Sequence, residues 1–273
     1  KDRQTDWCSG SGHNDCRMVG KPDRPGIYYY EYGSYPRKPR VVYDRKHSSI
    51  NNIEISDVPQ TLFYNTRLFH TSGITLGLGG KAQDFAIHCI KEFKKQGTLI
   101  SFDVNYRSNL WTGEEARKCI ETILPYVDIF FCSEDTARLT FGKTGPLNEI
   151  QKSFCEEYPI SVVASTERTV ITPKKHNFTS IIYSAKNDTY YRENPYNNID
   201  VVDRIGSGDA YVSGALYGYL KHGDCQKALE YGNAMAAIKH SVIGDMVFTD
   251  LEEIDSIIKQ HKNTSGYQSE MNR

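Results

Sequence analysis

The sequence predicts an α/β protein in which a mainly parallel β-sheet is flanked by helices, with a small β lid in front of it. From about residue 56, short apolar segments alternate with segments of helical spacing, which is typical of strands joined by crossover helices. Ahead of them, two strand-like runs between Gly26 and Arg45 flank a turn rich in Gly and Pro, which indicates a hairpin. The predicted units are an irregular segment (1–25), a β-hairpin lid (26–50), an α/β core (51–262) and a polar tail (263–273).

The elements of the core follow from apolar periodicity. Strands are predicted over residues 68–72, 98–102, 128–132, 160–164, 179–184 and 189–192. Helices are predicted over residues 81–96, 112–126, about 133–142, 150–158, 209–221, 226–240 and 250–261. Because ligands of an open α/β sheet bind beyond the carboxyl ends of its strands, we expect Asp103, Asn105 and Arg107 to share a crevice with the turn at Gly206–Asp209.

Composition excludes several classes of partner. The 273 residues carry 33 basic and 34 acidic side chains, so the net charge of −1 gives no bias towards nucleic acid. The sequence contains no apolar run of about 18 residues, so no membrane partner is expected. Seven scattered cysteines suit reduced thiols and a cytoplasmic location. Cys8, His13 and Cys16 lie close together but lack a fourth ligand, and no metal site is predicted there.

The stretch from Val201 to Leu220 carries the chemistry. Two glycines around Ser207 let backbone N–H groups approach an anion, and the helix that follows adds its partial positive charge. Asp209 at the rim would repel a phosphate, so a carboxylate is unexpected if this turn only binds one. Its presence is explained if Asp209 takes the proton of a hydroxyl that attacks the phosphorus. The alternative is an ordinary strand-to-helix connection in which Asp209 stabilises the helix dipole.

The string from Asp203 to Ala210, DRIGSGDA, resembles the D-[TR]-x-G-[AGS]-G-D-[AS] signature of the ribokinase (phosphofructokinase-B) family of sugar kinases. The resemblance implies a ribokinase-like three-layer sandwich, ATP and Mg²⁺ as cofactors, and Asp209 as the general base. It also implies an anion hole at Gly206, Ser207 and Gly208, with ATP contacts from Ile205 to Gly208. An arginine at the second position of the signature, here Arg204, resembles the pattern of the 2-keto-3-deoxygluconate kinase branch.

A second stretch, SFDVNYRSNLW, resembles F-D-x-N-x-R-x-x-L-W of the same branch. The resemblance implies that Asn105 and Arg107 contact ATP, and that Arg107 also contacts the sugar. From the residues alone, a guanidinium at a strand end suits a phosphate or a carboxylate. A surface arginine in an ion pair is the alternative.

The hairpin carries a third match. Tyr28 in GIYYYEY and Tyr43 and Arg45 in VVYDR resemble the lid motif of this branch, which implies that they bind the sugar acid and that Arg45 faces its carboxylate. Ordinary strand packing is the alternative for the tyrosine stripe. The exposed strand edges favour a homodimer through the lid, since unpaired edges seek partners.

Two further segments complete the resemblance. Ser165 to Arg168 is similar to the nucleotide-binding segment at a strand end, which implies that Ser165 and Arg168 contact ATP. The run from Lys239 to Asp245 resembles K-H-x-x-x-G-D, and Asp245 is a candidate substrate contact, with a structural loop aspartate as the alternative.

Two departures from the family pattern stand out. No opening strand and no G-G-x-x-x-N motif precede Tyr28, which predicts a fragment or the loss of the first part of the sheet. The family's N-x-x-E aligns with Ser133 to Thr136, so no residue is assigned as a metal ligand and Mg²⁺ is expected to be held largely by water.

The resemblance implies ATP-dependent phosphorylation of 2-keto-3-deoxygluconate, a small sugar acid, to its 6-phosphate. Two alternatives stay open at this point. One is another sugar kinase of the family, such as a fructokinase, and the other is a catalytically silent binder of sugar acid or nucleotide.

Overall fold

The computed structural model describes residues 24–33 and 36–263. The predictions for residues 1–23 and 264–273, and the Cys8, His13 and Cys16 trio, lie outside the described residues. Within the described part of the chain, no helix combines the length and the apolar character that crossing a membrane requires.

The predicted hairpin is present. Strand β1 (Ile27–Glu31) pairs antiparallel with β2 (Arg40–Asp44). In this register Tyr28 lies opposite Tyr43 and Tyr30 lies opposite Val41, so the tyrosine face is shared by both strands. The remaining apolar side chains of the pair include Tyr29 and Val42, which are exposed. A homodimer through this hairpin stays a prediction.

The core sheet is mixed. Its strands are β3 (Leu68–Ser72), β4 (Leu99–Asp103), β5 (Ile129–Phe131), β6 (Val162–Thr172), β7 (Lys175–Ser184), β8 (Thr189–Arg192) and β9 (Tyr196–Asp200). They lie in the order β3-β4-β5-β6-β7-β8, and β9 also pairs with β7. Strands β3 to β6 are parallel, whereas β7 runs antiparallel to β6, β8 and β9. The predicted α/β class is confirmed, and the antiparallel part is confined to the last strands.

The helices cover both faces of the sheet. They are α1 (Gly73–Gly77), α2 (Gly80–Lys95), α3 (Gly113–Glu121), α4 (Glu134–Phe141), α5 (Leu147–Glu157), α6 (Ser207–His222), α7 (Cys225–His240) and α8 (Leu251–Lys262). Phe130 of β5 packs in the core cluster of α1 to α5, whereas its neighbours Ile129 and Phe131 pack with α6 and α7. Successive side chains of β5 thus pack on opposite faces of the sheet, so the sheet lies between two helical layers, as predicted.

Three features of the observed elements differ from the prediction. Strand β6 does not end at Ala164 but continues to Thr172, because β7 pairs with it antiparallel along its length. Strand β9 was not predicted, since the sequence YNNID gives no apolar alternation. Helix α3 ends at Glu121, and a separate 3₁₀ turn (Leu124–Tyr126) carries Pro125, whose ring cannot continue an α-helix.

Candidate active site

A cavity of about 390 Å³ lies at the carboxyl end of β4, beside the amino terminus of α6 and the hairpin. Almost every residue that the sequence singles out lines it: Tyr28, Tyr43, Arg45, Asn105, Arg107, Arg168, Ile205, Gly206, Ser207, Gly208, Asp209 and Asp245. Segments far apart in the sequence therefore meet at one place, as the strand-end argument predicts.

The amino terminus of α6 is open towards this cavity. Gly206 occupies the N-cap position with φ of 74°, and no side chain caps the helix. A Cβ on Gly208 would have no neighbouring atom within 4 Å. The N–H of Ser207 donates to the carbonyl oxygen of Arg204 at 3.2 Å, and beside it the start of the helix at Gly208 faces open space, an arrangement that can bind an anion.

Asp209 lies in the first turn of α6, on the exposed side that faces the cavity. Loss of hydration in the cavity raises the pKa of this carboxyl, Asp245 raises it further, and the positive charge of Arg107 opposes both effects. A carboxylate with a raised pKa is a better proton acceptor than an ordinary aspartate.

Asp203 fixes the turn that carries these groups. Its buried carboxylate accepts hydrogen bonds from the backbone N–H of Ile205 at 3.0 Å and of Gly244 at 3.0 Å. A third bond, at 3.1 Å, comes from the hydroxyl of Tyr32 just beyond β1. The anion-binding turn, the loop of Asp245 and the hairpin are thus joined at one side chain.

The hairpin places a cation in the cavity wall. The guanidinium carbon of Arg45 lies 3.9 Å from the centre of the Tyr43 ring, a cation–π contact. Nη1 of Arg45 is buried and has no hydrogen-bond partner among the described residues. A buried charged donor without a partner costs about 1–3 kcal/mol or more, so this position fits an anionic group of a ligand.

Tyr28 completes this wall. Its ring lies 6.2 Å from the ring of Tyr43, and its hydroxyl lies near enough to the Asp245 carboxylate for the two to interact. Burial and the nearby carboxylate of Asp245 raise the pKa of Tyr28, so its hydroxyl stays a donor at neutral pH. The wall therefore offers one cation, two aromatic faces and several hydroxyl or carboxylate partners to a polyol.

Asp103, the last residue of β4, lines the cavity as its strand-end position predicts, although the sequence assigned it no role. Its pKa is raised to about 7, chiefly by burial. The N–H of Asn105, which donates to it at 3.1 Å, and the charge of Arg107 act against this rise, whereas the charge of Asp209 adds to it. Asn105 adopts a left-handed backbone conformation with φ of 36°, a strain typical of functional sites. The signal for Asp103 was its place at the strand end within FDVNYR.

Arg204 is a second lining residue without a predicted role. It lies close enough to Arg168 that the two charges interact: burial lowers the pKa of Arg168, and the charge of Arg204 lowers it further. Its signal was the position directly after Asp203 in the glycine motif. Two arginines in one cavity wall favour a ligand with several negative charges.

Ser165 does not reach the cavity. Its buried hydroxyl donates to the carbonyl of Cys132 at 2.7 Å and accepts from Nε2 of Gln151 at 3.2 Å. Since β6 continues through this segment, successive side chains alternate between faces, and Thr166 rather than Ser165 faces a cavity. The geometry therefore gives Ser165 a structural place within the sheet.

That second cavity, of about 380 Å³, adjoins the first and shares four lining residues with it: Asp103, Asn105, Arg107 and Gly208. It reaches the segment that replaces N-x-x-E. There Ser133 caps α4, accepting from the Thr136 N–H at 3.2 Å and donating to the Thr136 hydroxyl at 2.8 Å. Glu134 is held by Nε of Arg138 at 3.0 Å. Ser133 and Thr136 thus stabilise the start of α4.

Comparison with known proteins agrees with this geometry. Residues 15–250 match the pfkB family of carbohydrate kinases. A 2-dehydro-3-deoxygalactonokinase of Haloferax volcanii is 28% identical over 86% of this chain and 71% of its own length. An ATP-dependent 6-phosphofructokinase of Thermoanaerobacterium thermosaccharolyticum is 33% identical over 76% of this chain. The chain spans 59% of the length of that second relative.

A solved structure is also similar. The crystal structure of 2-dehydro-3-deoxygluconokinase from Thermotoga maritima superposes with a TM-score of 0.80 and 31% identity, over 86% of this chain and 72% of that one. The family match covers most of the chain, and its fold is that of a carbohydrate kinase. With the open helix start, Asp209 and the arginines gathered in one cavity, these similarities show that the chain belongs to the pfkB carbohydrate kinase family.

Proposed function

We propose that this chain transfers the terminal phosphoryl group of ATP to the 6-hydroxyl of 2-keto-3-deoxygluconate, giving 2-keto-3-deoxy-6-phosphogluconate. The observation that carries the proposal is that Arg45 and Asp209 line one cavity. Arg45 is a cation with a buried unpaired nitrogen, which suits the carboxylate of a sugar acid. Asp209 is the carboxylate beside the anion-binding turn, which suits a hydroxyl that is to be deprotonated.

In this mechanism Asp209 accepts the proton of the 6-hydroxyl while the oxygen of that hydroxyl forms a bond to the γ-phosphorus. The bond from that phosphorus to the bridging oxygen breaks, and ADP leaves. The N–H groups of Gly206, Ser207 and Gly208 stabilise the negative charge on the moving phosphoryl group. Arg107 lies in the same cavity and shares this charge.

The residues present fit a nucleotide. The space in front of Gly208 is open, Arg168 and Arg204 supply positive charge, and the adjoining second cavity gives further room. Within the described residues no group of three or more His, Cys, Asp or Glu side chains is placed to hold a metal ion. Mg²⁺ would be held by the ATP phosphates and water, and it would neutralise phosphate charge there.

The sugar acid is assigned to the hairpin wall, which acts as a lid. Arg45 would bind the carboxylate, the rings of Tyr28 and Tyr43 would pack on the carbon chain, and Asp245 would accept from a sugar hydroxyl. The names of two similar proteins support this choice of substrate. The relative from Haloferax volcanii and the structure from Thermotoga maritima are both named as kinases of a 2-dehydro-3-deoxy sugar acid.

A second candidate is a kinase of a neutral sugar, fructokinase-like in substrate. The 33% identity to a protein named ATP-dependent 6-phosphofructokinase favours a substrate related to fructose. A third candidate is a silent binder of sugar acid or nucleotide, which the replaced Ser133 and Thr136 favour. Binding of ATP without release of ADP would identify it.

The location and assembly are proposed on separate grounds. The five described cysteines are all free thiols, which supports a cytoplasmic protein. Exposed Tyr29 and Val42 on the hairpin support pairing of two copies.

Asp209→Asn tests the assigned base. The amide keeps the size of the side chain and cannot take a proton, so we expect ADP release to fall about 100- to 10,000-fold. ATP affinity, measured by calorimetry, should stay within about threefold, because the N–H groups that bind phosphate remain. Asp250→Asn is the matched control, since Asp250 caps α8 away from the cavity lining. Turnover retained in the Asp209 variant would remove Asp209 as the base.

A further inference from the structure

Lys239, in the last turn of α7, is one of the largest fully buried side chains of the described chain, with 0% exposure. Lysine is almost never fully buried unless its charge is paired. Its ammonium donates to the carbonyl oxygen of Val242 at 2.8 Å and lies 3.5 Å from the carbonyl oxygen of Asp203. Two backbone oxygens from different segments therefore hold this charge inside the protein.

Those two oxygens belong to the two segments that form the active site. Asp203 begins the turn that leads to Gly206 and Asp209, and Val242 begins the loop that leads to Asp245. The backbone N–H groups of Val202 and Asp203 also donate to the carbonyl of His240, at 2.8 and 3.2 Å. The end of α7 thus contacts both segments, and the ammonium of Lys239 lies between them.

The surrounding charges favour the ammonium form. Burial lowers the pKa of Lys239, while the carboxylates of Asp203 and Asp245 raise it. The last turn of a helix also favours a cation, because its free carbonyl groups carry partial negative charge. Loss of this charge would remove the ammonium donor that the carbonyl oxygens of Asp203 and Val242 share.

We propose that Lys239 is a positioning residue, whose buried ammonium holds the anion-binding turn against the loop of Asp245. This inference rests on the proposed function for its effect on turnover. Lys239 does not line the cavity and is not assigned a contact with sugar or nucleotide. It acts through the placement of Gly206 and Asp209 on one side and of Asp245 on the other.

Chemical rescue tests the proposal. Lys239→Ala removes the ammonium and leaves a space lined by backbone oxygens, which suits a small cation. We expect the turnover number to fall on the order of 100-fold, the effect of misplacing reacting groups by about 1 Å. Ammonium or methylammonium chloride should restore at least about a tenth of the lost rate, because the added cation replaces the missing charge. Tetramethylammonium chloride at the same concentration should restore none.

A second readout needs no activity. Amide hydrogen exchange at Ile205 and Gly244, whose N–H groups both bond Asp203, should accelerate about tenfold or more in Lys239→Ala and slow again with ammonium. Lys239→Met, which fills the space without charge, should lose turnover and respond to neither salt. Leu229→Ala, a buried change earlier in α7, is the control for lost packing and should show no response to ammonium.

Four results would overturn the proposal. They are wild-type turnover in a folded Lys239→Met protein, equal effects of ammonium and tetramethylammonium, a rescue shared by Leu229→Ala, or unchanged exchange at Ile205 and Gly244. An unmodified chain that releases no ADP with the sugar acid refutes the proposed function instead. In that case the exchange response to ammonium still decides whether Lys239 holds the turn.

Discussion

Gly206 and Asp245 are in direct backbone contact: a methyl group on Gly206 would lie 2.0 Å from the carbonyl oxygen of Asp245. Gly206 also has φ of 74°, a conformation that side chains other than glycine rarely adopt. We predict that Gly206→Ala destabilises the fold by about 1–3 kcal/mol and lowers ADP release by about 100-fold, because the turn must move. Urea unfolding and steady-state kinetics measure the two effects.

Gly208→Ala is the matched variant. No atom lies within 4 Å of its added methyl group, so we expect the free energy of unfolding to stay within about 0.5 kcal/mol of the unmodified chain. The methyl group occupies space assigned to phosphate, and the Michaelis constant for ATP should rise about tenfold or more. Equal loss of stability in both variants would contradict this account of the turn.

The charge of Arg45 is predicted to select the substrate. Removing a charge-assisted hydrogen bond costs about 1.5–3 kcal/mol, so Arg45→Ala should weaken kcat/KM for the sugar acid about 10- to 150-fold. Activity on fructose, if present, should not change, because a neutral sugar has no carboxylate for the guanidinium. Steady-state kinetics with both substrates measures this split.

Arg37→Ala is the control for the hairpin, since Arg37 pairs with Glu31 on the exposed surface and does not line the cavity. It should leave both substrates unaffected. An unchanged Michaelis constant for the sugar acid in Arg45→Ala would favour the neutral-sugar kinase instead.

Asp103 should make stability depend on pH. Its pKa is raised to about 7 in the folded chain and is about 4 in the unfolded chain. Below about pH 4 both states hold the proton, so this contribution to stability is fully present. Between about pH 4 and 7 the unfolded chain loses the proton first, and the free energy of unfolding falls as the pH rises.

Asp103→Asn should remove this slope. We predict that the unmodified chain loses on the order of 2 kcal/mol more than the variant between pH 5 and pH 8, measured by urea unfolding. Asp135→Asn, an exposed aspartate of the adjoining cavity, should keep the slope of the unmodified chain. Identical slopes in the Asp103 variant and the unmodified chain would show that Asp103 ionises in the folded protein as it does in the unfolded one.

The sequence predicted most of the fold because its signals are local. Apolar periodicity located the strands of the parallel part, and the capping box at Thr112 marked the start of α3. Strand β9 and the extension of β6 depend on pairing with β7, which lies elsewhere in the chain. Long-range pairing of this kind leaves little trace in a single sequence.

The candidate site was predicted to the extent that its residues stand in motifs. Gly206, Asp209 and Arg45 could be identified from their neighbours in the chain, and they line one cavity. Ser165 was misplaced because its strand was expected to end one residue earlier. The role of Lys239 could not be read from its motif, since its two partners, Asp203 and Val242, become neighbours of its ammonium only in the folded chain.

One assay tests most directly whether this chain is a kinase of a sugar acid. ADP release is coupled to a spectroscopic readout with MgATP and 2-keto-3-deoxygluconate, with fructose and ribose as comparison substrates at equal concentration. We predict turnover with the sugar acid alone, since Arg45 offers its charge to a carboxylate. Turnover with fructose equal to or above that with the sugar acid, or silence with all three from a folded protein, would contradict the claim.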